Sequence, residues 1–190
     1  MMIVSYDINQ YQFREWACSI LRVKELDHLH ERLDLNQYSN YVEKIEACRA
    51  ELTANITQFS TLMLKFMRRE ITPLFNGIEN TYLHPTFRVH IPGGKTASKY
   101  HLDRDYGVDP RKLNVWLPFT KVWGGNSIWI ESEEGLGDFL AVNLEYGEAL
   151  VFDGSNLCHG SVKNDTSSTR VSVDFRFIPL DRSPYIRSSL

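Results

Sequence analysis

No stretch of the sequence supplies the roughly 18 uninterrupted apolar residues that a membrane-crossing helix needs. The opening MMIVSYDINQYQFREW has no basic segment ahead of an apolar run. The expectation is a protein that is neither secreted nor membrane-spanning, placed in the cytoplasm. Cysteine is scarce: Cys18, Cys48 and Cys158 are an odd number at unrelated spacings, which argues for reduced thiols rather than a disulfide framework. Each is expected as a small core residue rather than a reactive one. Positive charge is not in excess, since 21 Lys and Arg stand against 24 Asp and Glu for a net charge of -3, so there is no electrostatic footprint for nucleic acid. Internal repeats, low-complexity tracts, a GxGxxG loop and a Ser-His-Asp arrangement are missing too.

What is there is ordinary for a globular chain: 190 residues, 43% hydrophobic and 24% charged, enough for one domain with a sizeable core. From Tyr38 to about Phe66, apolar residues recur at Tyr38, Tyr41, Val42, Ile45, Cys48, Leu52, Ile56, Phe59, Met63 and Phe66. Steps of three and four predict one long amphipathic helix, stopped by Pro73 and the turn Phe75 to Gly77. Beyond Gly77 the texture changes to short β-rich runs, TFRVHI, LNVWLPF, NSIWI, EALVF and RVSVDFRFI, separated by Gly, Pro, Asn and Asp clusters. Residues 1–77 are therefore expected to be mostly helical and residues 78–180 to form an antiparallel sandwich or jelly roll backed by those helices.

Strand phase adds detail. In RVSVDFRF, Arg170, Ser172, Asp174 and Arg176 share one face, and Val171, Val173, Phe175 and Phe177 the other. The same alternation separates Arg88 and His90 from Phe87, Val89 and Ile91, and Asn114 and Trp116 from Val115, Leu117 and Phe119. The apolar face is expected against the helices. The polar face either lines a cleft or is simply solvated, as on many antiparallel sheets.

The segment SKYHLDRDYG places His101 and Asp103 two residues apart. On a strand that spacing aims both side chains to one side, whereas on a helix it splays them. A third ligand is His159, which follows a strand and a tight loop and precedes another short strand. His101, Asp103 and His159 would make the two-histidine, one-carboxylate face that non-haem iron(II) oxygenases use, with the opposite positions open. Arg170 lies on the strand that follows, with Ser172 on the same face, and an arginine fork with a neighbouring hydroxyl suits a carboxylate.

His101-x-Asp103, His159-Gly160-Ser161 and Arg170-x-Ser172 together resemble the iron(II)/2-oxoglutarate-dependent oxygenases, and HGSVKNDTSSTR is similar to the distal-histidine segment of their phytanoyl-CoA-dioxygenase-like branch. The resemblance covers about Pro85 to Pro179. It implies a double-stranded β-helix and the use of iron(II), 2-oxoglutarate and dioxygen, with succinate and carbon dioxide released as a C–H bond of a small-molecule substrate is oxidised. By position, His101, Asp103 and His159 would hold iron, and Arg170 with Ser172 the distal carboxylate of 2-oxoglutarate. LNVWLPFTKVWGGNSIWIES looks like small oxygenases of antibiotic and amino-sugar biosynthesis. Related halogenases carry a small residue in place of the carboxylate, so Asp103 favours hydroxylation or another oxidation.

Other candidates are weighed by phase. Asn114 shares the inward phase and is a candidate for contact with 2-oxoglutarate or substrate; Arg88, Trp116 and Arg176 are the candidates for substrate contact. Arg176 either meets an anionic group of the substrate or pairs with Asp174 two residues away. His90 either lines the cleft or is a hydrogen-bonded structural histidine. His28 and His30 are expected on the surface, and Cys158 in the core, facing away from the ligand His159. Trp123 and Trp129 are read as packing. Two competing readings stay open: a non-catalytic jelly-roll module that binds a sugar or organic acid, and a cupin-like metalloenzyme that works without 2-oxoglutarate.

Overall fold

A computed structural model describes residues 1–33, 41–95 and 98–188, with backbone alone for Tyr41 and for residues 80–83 and 186–188. In chain order its elements are β1 (Met2–Ser5), α1 (Phe13–Leu21), α2 (Leu29–Arg32), α3 (Tyr41–Ala54), α4 (Ile56–Phe66), β2 (Ile78–His90) and β3 (Leu113–Pro118). There follow β4 (Trp129–Ile130), β5 (Leu140–Ala141), β6 (Glu148–Phe152), β7 (His159–Gly160), β8 (Arg170–Pro179) and α5 (Ser183–Ser188). Five strands form one antiparallel sheet in the order β1-β6-β3-β8-β2, and three form a smaller one in the order β5-β4-β7. Among the described residues no helix is long and apolar enough to cross a membrane.

The expected helix from Tyr38 to Phe66 is two helices. Tyr38 itself lies outside the described residues. The break is at Asn55, whose backbone leaves helical geometry at φ -103 and ψ 20 while its side-chain amide donates to the Glu51 carbonyl at 2.9 Å. An asparagine side chain that binds a nearby carbonyl competes with the helix for it. Cys48, Leu52, Phe59, Met63 and Phe66 keep the stripe and are buried, but Val42 points outward at 67% exposure. The stop falls where the sequence places it: Pro73 sits in a 3-10 turn, Thr72–Phe75, and Asn76 and Gly77 take positive φ. A β-carbon on Gly77 would meet Leu180 at 2.7 Å. The short strand β1, paired with β6 from Met2↔Val151 to Ser5↔Glu148, is an element that the sequence reading does not contain.

The strand phases hold. Val171, Val173, Phe175, Phe177, Phe87, Val89, Val115 and Leu117 are buried in one core with residues of α1, α3 and α4. Phe59 of α4 meets Phe87 at 5.1 Å and Trp16 of α1 stacks on Phe87 at 5.5 Å between ring centroids. On the opposite face the register sets Arg176 beside Asn114, Asp174 beside Trp116, Ser172 beside Arg88 and Arg170 beside His90. That face is only partly polar, because Trp116, Leu150 and Phe152 join Ile130, Leu144 and Leu157 in a second apolar cluster between the two sheets. The cleft is the polar remainder of this inter-sheet space.

Phe59 contributes to aromatic contacts with Phe13, Trp16, Phe87 and Phe119. Phe59→Ala is expected to lower stability by about 3–5 kcal/mol, read as the shift of the urea midpoint at unchanged slope; a shift below 1 kcal/mol would contradict its place at the helix-sheet seam.

Candidate metal site

His101 and Asp103 do not lie on a continuous strand. His101 forms one isolated bridge to His159, each backbone N–H donating to the other's carbonyl at 3.0 Å, and Asp103 already opens a 3-10 turn, Asp103–Tyr106. Leu102, between the bridge and the turn, is extended at φ -102 and ψ 136 and supplies the alternation. Gly160 makes the bridge possible, since a β-carbon there would meet the Tyr100 backbone N at 2.8 Å. The Asp103 backbone N–H donates to the Gly154 carbonyl at 2.8 Å, which ties the turn to the segment after β6.

The bridge and the turn bring three ligand atoms together. His101 Nε2 lies 3.6 Å and His159 Nε2 4.0 Å from Asp103 Oδ1, and one ligand atom from each of the three residues falls within 4.8 Å of the others, close enough for one ion. His101 Nδ1 faces the Lys99 carbonyl at 2.7 Å and His159 Nδ1 the Leu157 carbonyl at 3.0 Å. Donation from Nδ1 leaves each Nε2 lone pair turned inward, the tautomer a metal ligand needs. Burial pushes the Asp103 carboxyl up, but His101, the Arg176 fork and the Asn114 amide outweigh it and hold the group well below the usual carboxylate range. Desolvation pushes the His159 imidazole down. These shifts favour a carboxylate at Asp103 and a neutral ring at His159, while the hydrogen bond with Asp103 pushes the His101 imidazole up.

Around these residues runs a cleft of about 510 Å³, counted to its open mouth and lined among others by Arg88, Asn114, Trp116, Arg170, Asp174 and Arg176. Arg170 is 2% exposed, donates from Nη1 to the Asn126 carbonyl at 3.0 Å and lies 5.8 Å from the centroid of the Trp116 ring. It has no carboxylate partner among the described residues. Burial, and after it the charge of Arg88, pushes its guanidinium down to about 9. Arg170 Nε, Ser172 Oγ, Asn126 Nδ2, Thr120 Oγ1 and His90 Nδ1 are buried polar atoms without a hydrogen-bond partner. A buried cation with a spare N–H, with the Ser172 hydroxyl on the same strand face, fits a bound carboxylate, and two imidazoles with one carboxylate fit iron(II).

Several expectations change. Arg176 does not pair with Asp174: its Nε donates to Asp103 Oδ2 at 2.9 Å and its Nη2 to Asp103 Oδ1 at 3.0 Å. Asp174 pairs with Arg88 instead, at 3.1 Å, because its register partner on β2 is Thr86 and Arg88 is one inward-facing position further along. Asn114 lines the cleft and donates to Asp103 Oδ2 at 2.8 Å. His30 is half-buried rather than on the surface, with Nδ1 and Thr169 Oγ1 at 2.8 Å, whereas His28 is exposed. Cys18 and Cys158 are half-buried rather than core, and all three cysteines are free. Trp123 is 36% exposed. Glu131 goes unnoticed in the acidic turn IESEEGLG, yet it is buried and accepts from the backbone N–H of Cys158 at 2.6 Å and of Gly135 and Gly137 at 3.1 Å. It holds the residue before His159 in place.

No family model matches the chain. Over 101 residues it is 48% identical to the streptomycin biosynthesis protein StrG of Streptomyces griseus, which is 53% of this chain and 46% of that protein. The chain thus spans about half the length of the curated relative it matches. Among solved structures it is similar to the non-heme alpha-ketoglutarate-dependent carbocyclase SnoK from nogalamycin biosynthesis, with a TM-score of 0.49 and 14% identity over 67% of this chain and 66% of that one. It is also similar to EvdO2 from Micromonospora carbonacea var. aurantiaca, solved with 2-oxoglutarate, with a TM-score of 0.40 and 18% identity over 53% of this chain and 51% of that one.

His90 is a buried histidine hydrogen-bonded to backbone and is not among the residues that line the cleft, and it gives a pH test of the packing beside Arg170. Its Nε2 faces the Lys95 carbonyl at 3.0 Å, and burial, then the Arg170 charge, pushes the ring down to about 4. An unfolded histidine takes its proton near pH 6.5, so below that value the unfolded chain binds a proton the native chain refuses and stability falls as pH drops to 4. The loss amounts to roughly 3 kcal/mol. His90→Gln is expected to flatten that part of the stability profile, measured by urea midpoints at pH 7 and 4.5; parallel profiles for the two proteins would contradict the burial of a neutral ring.

Proposed function

We propose that the chain is an iron(II)/2-oxoglutarate-dependent oxygenase of the phytanoyl-CoA-dioxygenase-like branch, acting by hydroxylation on a small polar metabolite of natural-product or amino-sugar biosynthesis. In this reading residues 1–190 are a single domain and residues 78–180 its double-stranded β-helix core. The observation that carries the proposal is Arg170: a buried guanidinium with no carboxylate partner among the described residues in the same cleft as a His-Asp-His cluster. A desolvated charge of that kind calls for an anion, and a dicarboxylate that also reaches the metal is the anion the cleft suits. The 48% identity to a streptomycin biosynthesis protein supports the metabolite class.

His101 Nε2, Asp103 Oδ1 and His159 Nε2 would hold iron(II), and Arg170 with Ser172 Oγ would take the distal carboxylate of 2-oxoglutarate. Iron(II), 2-oxoglutarate and dioxygen together supply the oxidising chemistry, with release of succinate and carbon dioxide. Trp116, Ile128 and Phe152 give the cleft an apolar lining that keeps water from the reacting groups. Arg88 and Arg176 are engaged by Asp174 and Asp103, so the wall offered to a substrate carries internally paired charges, which suits a neutral hydroxylated molecule better than an anionic one.

Substrate-dependent succinate release from pooled polar metabolites tests the reading. The purified protein is expected to bind one iron(II) per chain, and His101→Ala, Asp103→Ala and His159→Ala each to lose the metal or all turnover; wild-type iron content and turnover in all three would refute it. Arg170→Ala should chiefly raise the 2-oxoglutarate concentration required, by about 2–5 kcal/mol in binding free energy. Unchanged co-substrate dependence would move the anion site elsewhere.

A further inference from the structure

The oxygenase reading leaves unexplained why an arginine fork should grip a residue assigned to a metal. Asp103 is 2% exposed, and a carboxylate offers about four lone-pair sites, two on each oxygen. Oδ2 accepts from Asn114 Nδ2 at 2.8 Å and from Arg176 Nε at 2.9 Å, which fills both of its sites. Oδ1 accepts from Arg176 Nη2 at 3.0 Å, which fills one. The site that remains is on Oδ1, the oxygen that faces His101 Nε2 at 3.6 Å and His159 Nε2 at 4.0 Å. Gly154 packs close to this group: a β-carbon built there would lie 2.6 Å from Asn114 Nδ2, 2.9 Å from Asp103 Oδ2 and 3.0 Å from His159 Cε1.

We propose that Arg176 is a positioning residue that makes Asp103 a one-oxygen ligand, so that an ion held by His101, Asp103 and His159 keeps one more open coordination position than a chelating carboxylate would leave. The inference rests on the metal-site reading above and adds to it a reason for the fork. Partners of this kind orient ligands without touching the ion, and an arginine suits the task because its planar fork meets both carboxylate oxygens at once. Lysine, a point charge, meets one. For an octahedral ion, two imidazoles and one carboxylate oxygen leave three positions for other ligands. A carboxylate bound through both oxygens leaves two, one fewer than a two-point co-substrate and dioxygen require together.

Manganese(II) alone is a sufficient probe. In the protein loaded with Mn(II), broadening of the Mn(II) electron paramagnetic resonance lines in 17O-enriched water counts coordinated waters. The wild type is expected to show three; Arg176→Gln, with Oδ2 freed from the fork, is expected to show two. Arg176→Lys keeps the charge without the fork and is also expected to show two, and it carries the same test should the glutamine variant not fold. A residue that merely braces the strand would change the melting temperature and leave the count at three. Three waters in both variants, or two in the wild type, would overturn the proposal. A wild type that takes up no Mn(II) would instead overturn the metal-site reading, and the positioning role with it.

Discussion

A guanidinium held away from water, with no carboxylate in hydrogen-bond reach among the described residues, is the constraint around which the cleft is arranged. Arg170 opens β8, the strand flanked by β3 and β2 in the larger sheet, where its register partner is His90 of β2, and its side chain is held by burial. The Asn126 carbonyl and the Trp116 ring are its visible company. Neither neutralises it, and desolvation of an unpaired charge is costly enough that native proteins compensate it.

The other two arginines of the cleft are arranged differently, and the contrast assigns their roles. Arg88 and Arg176 are each paired with a carboxylate, Asp174 and Asp103, while remaining partly exposed. Asp103 therefore carries three kinds of contact at once: a backbone hydrogen bond to Gly154, the fork of Arg176 with the amide of Asn114, and the facing imidazoles. Loops alone would not hold such a group to a fraction of an ångström. The contributing atoms come from β3, β8 and the segment after β6, all anchored in the larger sheet, while the histidines come from the bridge between β7 and the segment before Asp103. Rigidity of the site is thus borrowed from the helix-backed core, through strands whose other face carries Val115, Phe175 and Val151.

Much of this was legible in the sequence because the period-two alternation of β8, β2 and β3 is strong: Arg170, Ser172, Asp174 and Arg176 do share a face, and the valines and phenylalanines between them do pack on helices. The grouping of His101, Asp103 and His159 was legible as a pattern of ligand types, although the backbone that achieves it, one bridge and one 3-10 turn, was not. Pairing choices were the hidden part. Whether Arg176 meets Asp174 or Asp103 depends on register across strands and on a loop that returns from far along the chain, and no local spacing encodes either. The helix break at Asn55 turns on one side chain competing for a carbonyl, and Glu131 on backbone N–H groups that a string of acidic residues does not advertise.

The most direct measurement of the central claim is an anaerobic titration of the iron(II)-loaded protein with 2-oxoglutarate, followed by visible absorbance. If Arg170 and the His-Asp-His cluster serve one co-substrate, a metal-to-ligand charge-transfer band grows and saturates at one equivalent per chain. Iron bound with no such band at saturating 2-oxoglutarate would contradict the account, leaving a metal site and a buried arginine that serve separate ends.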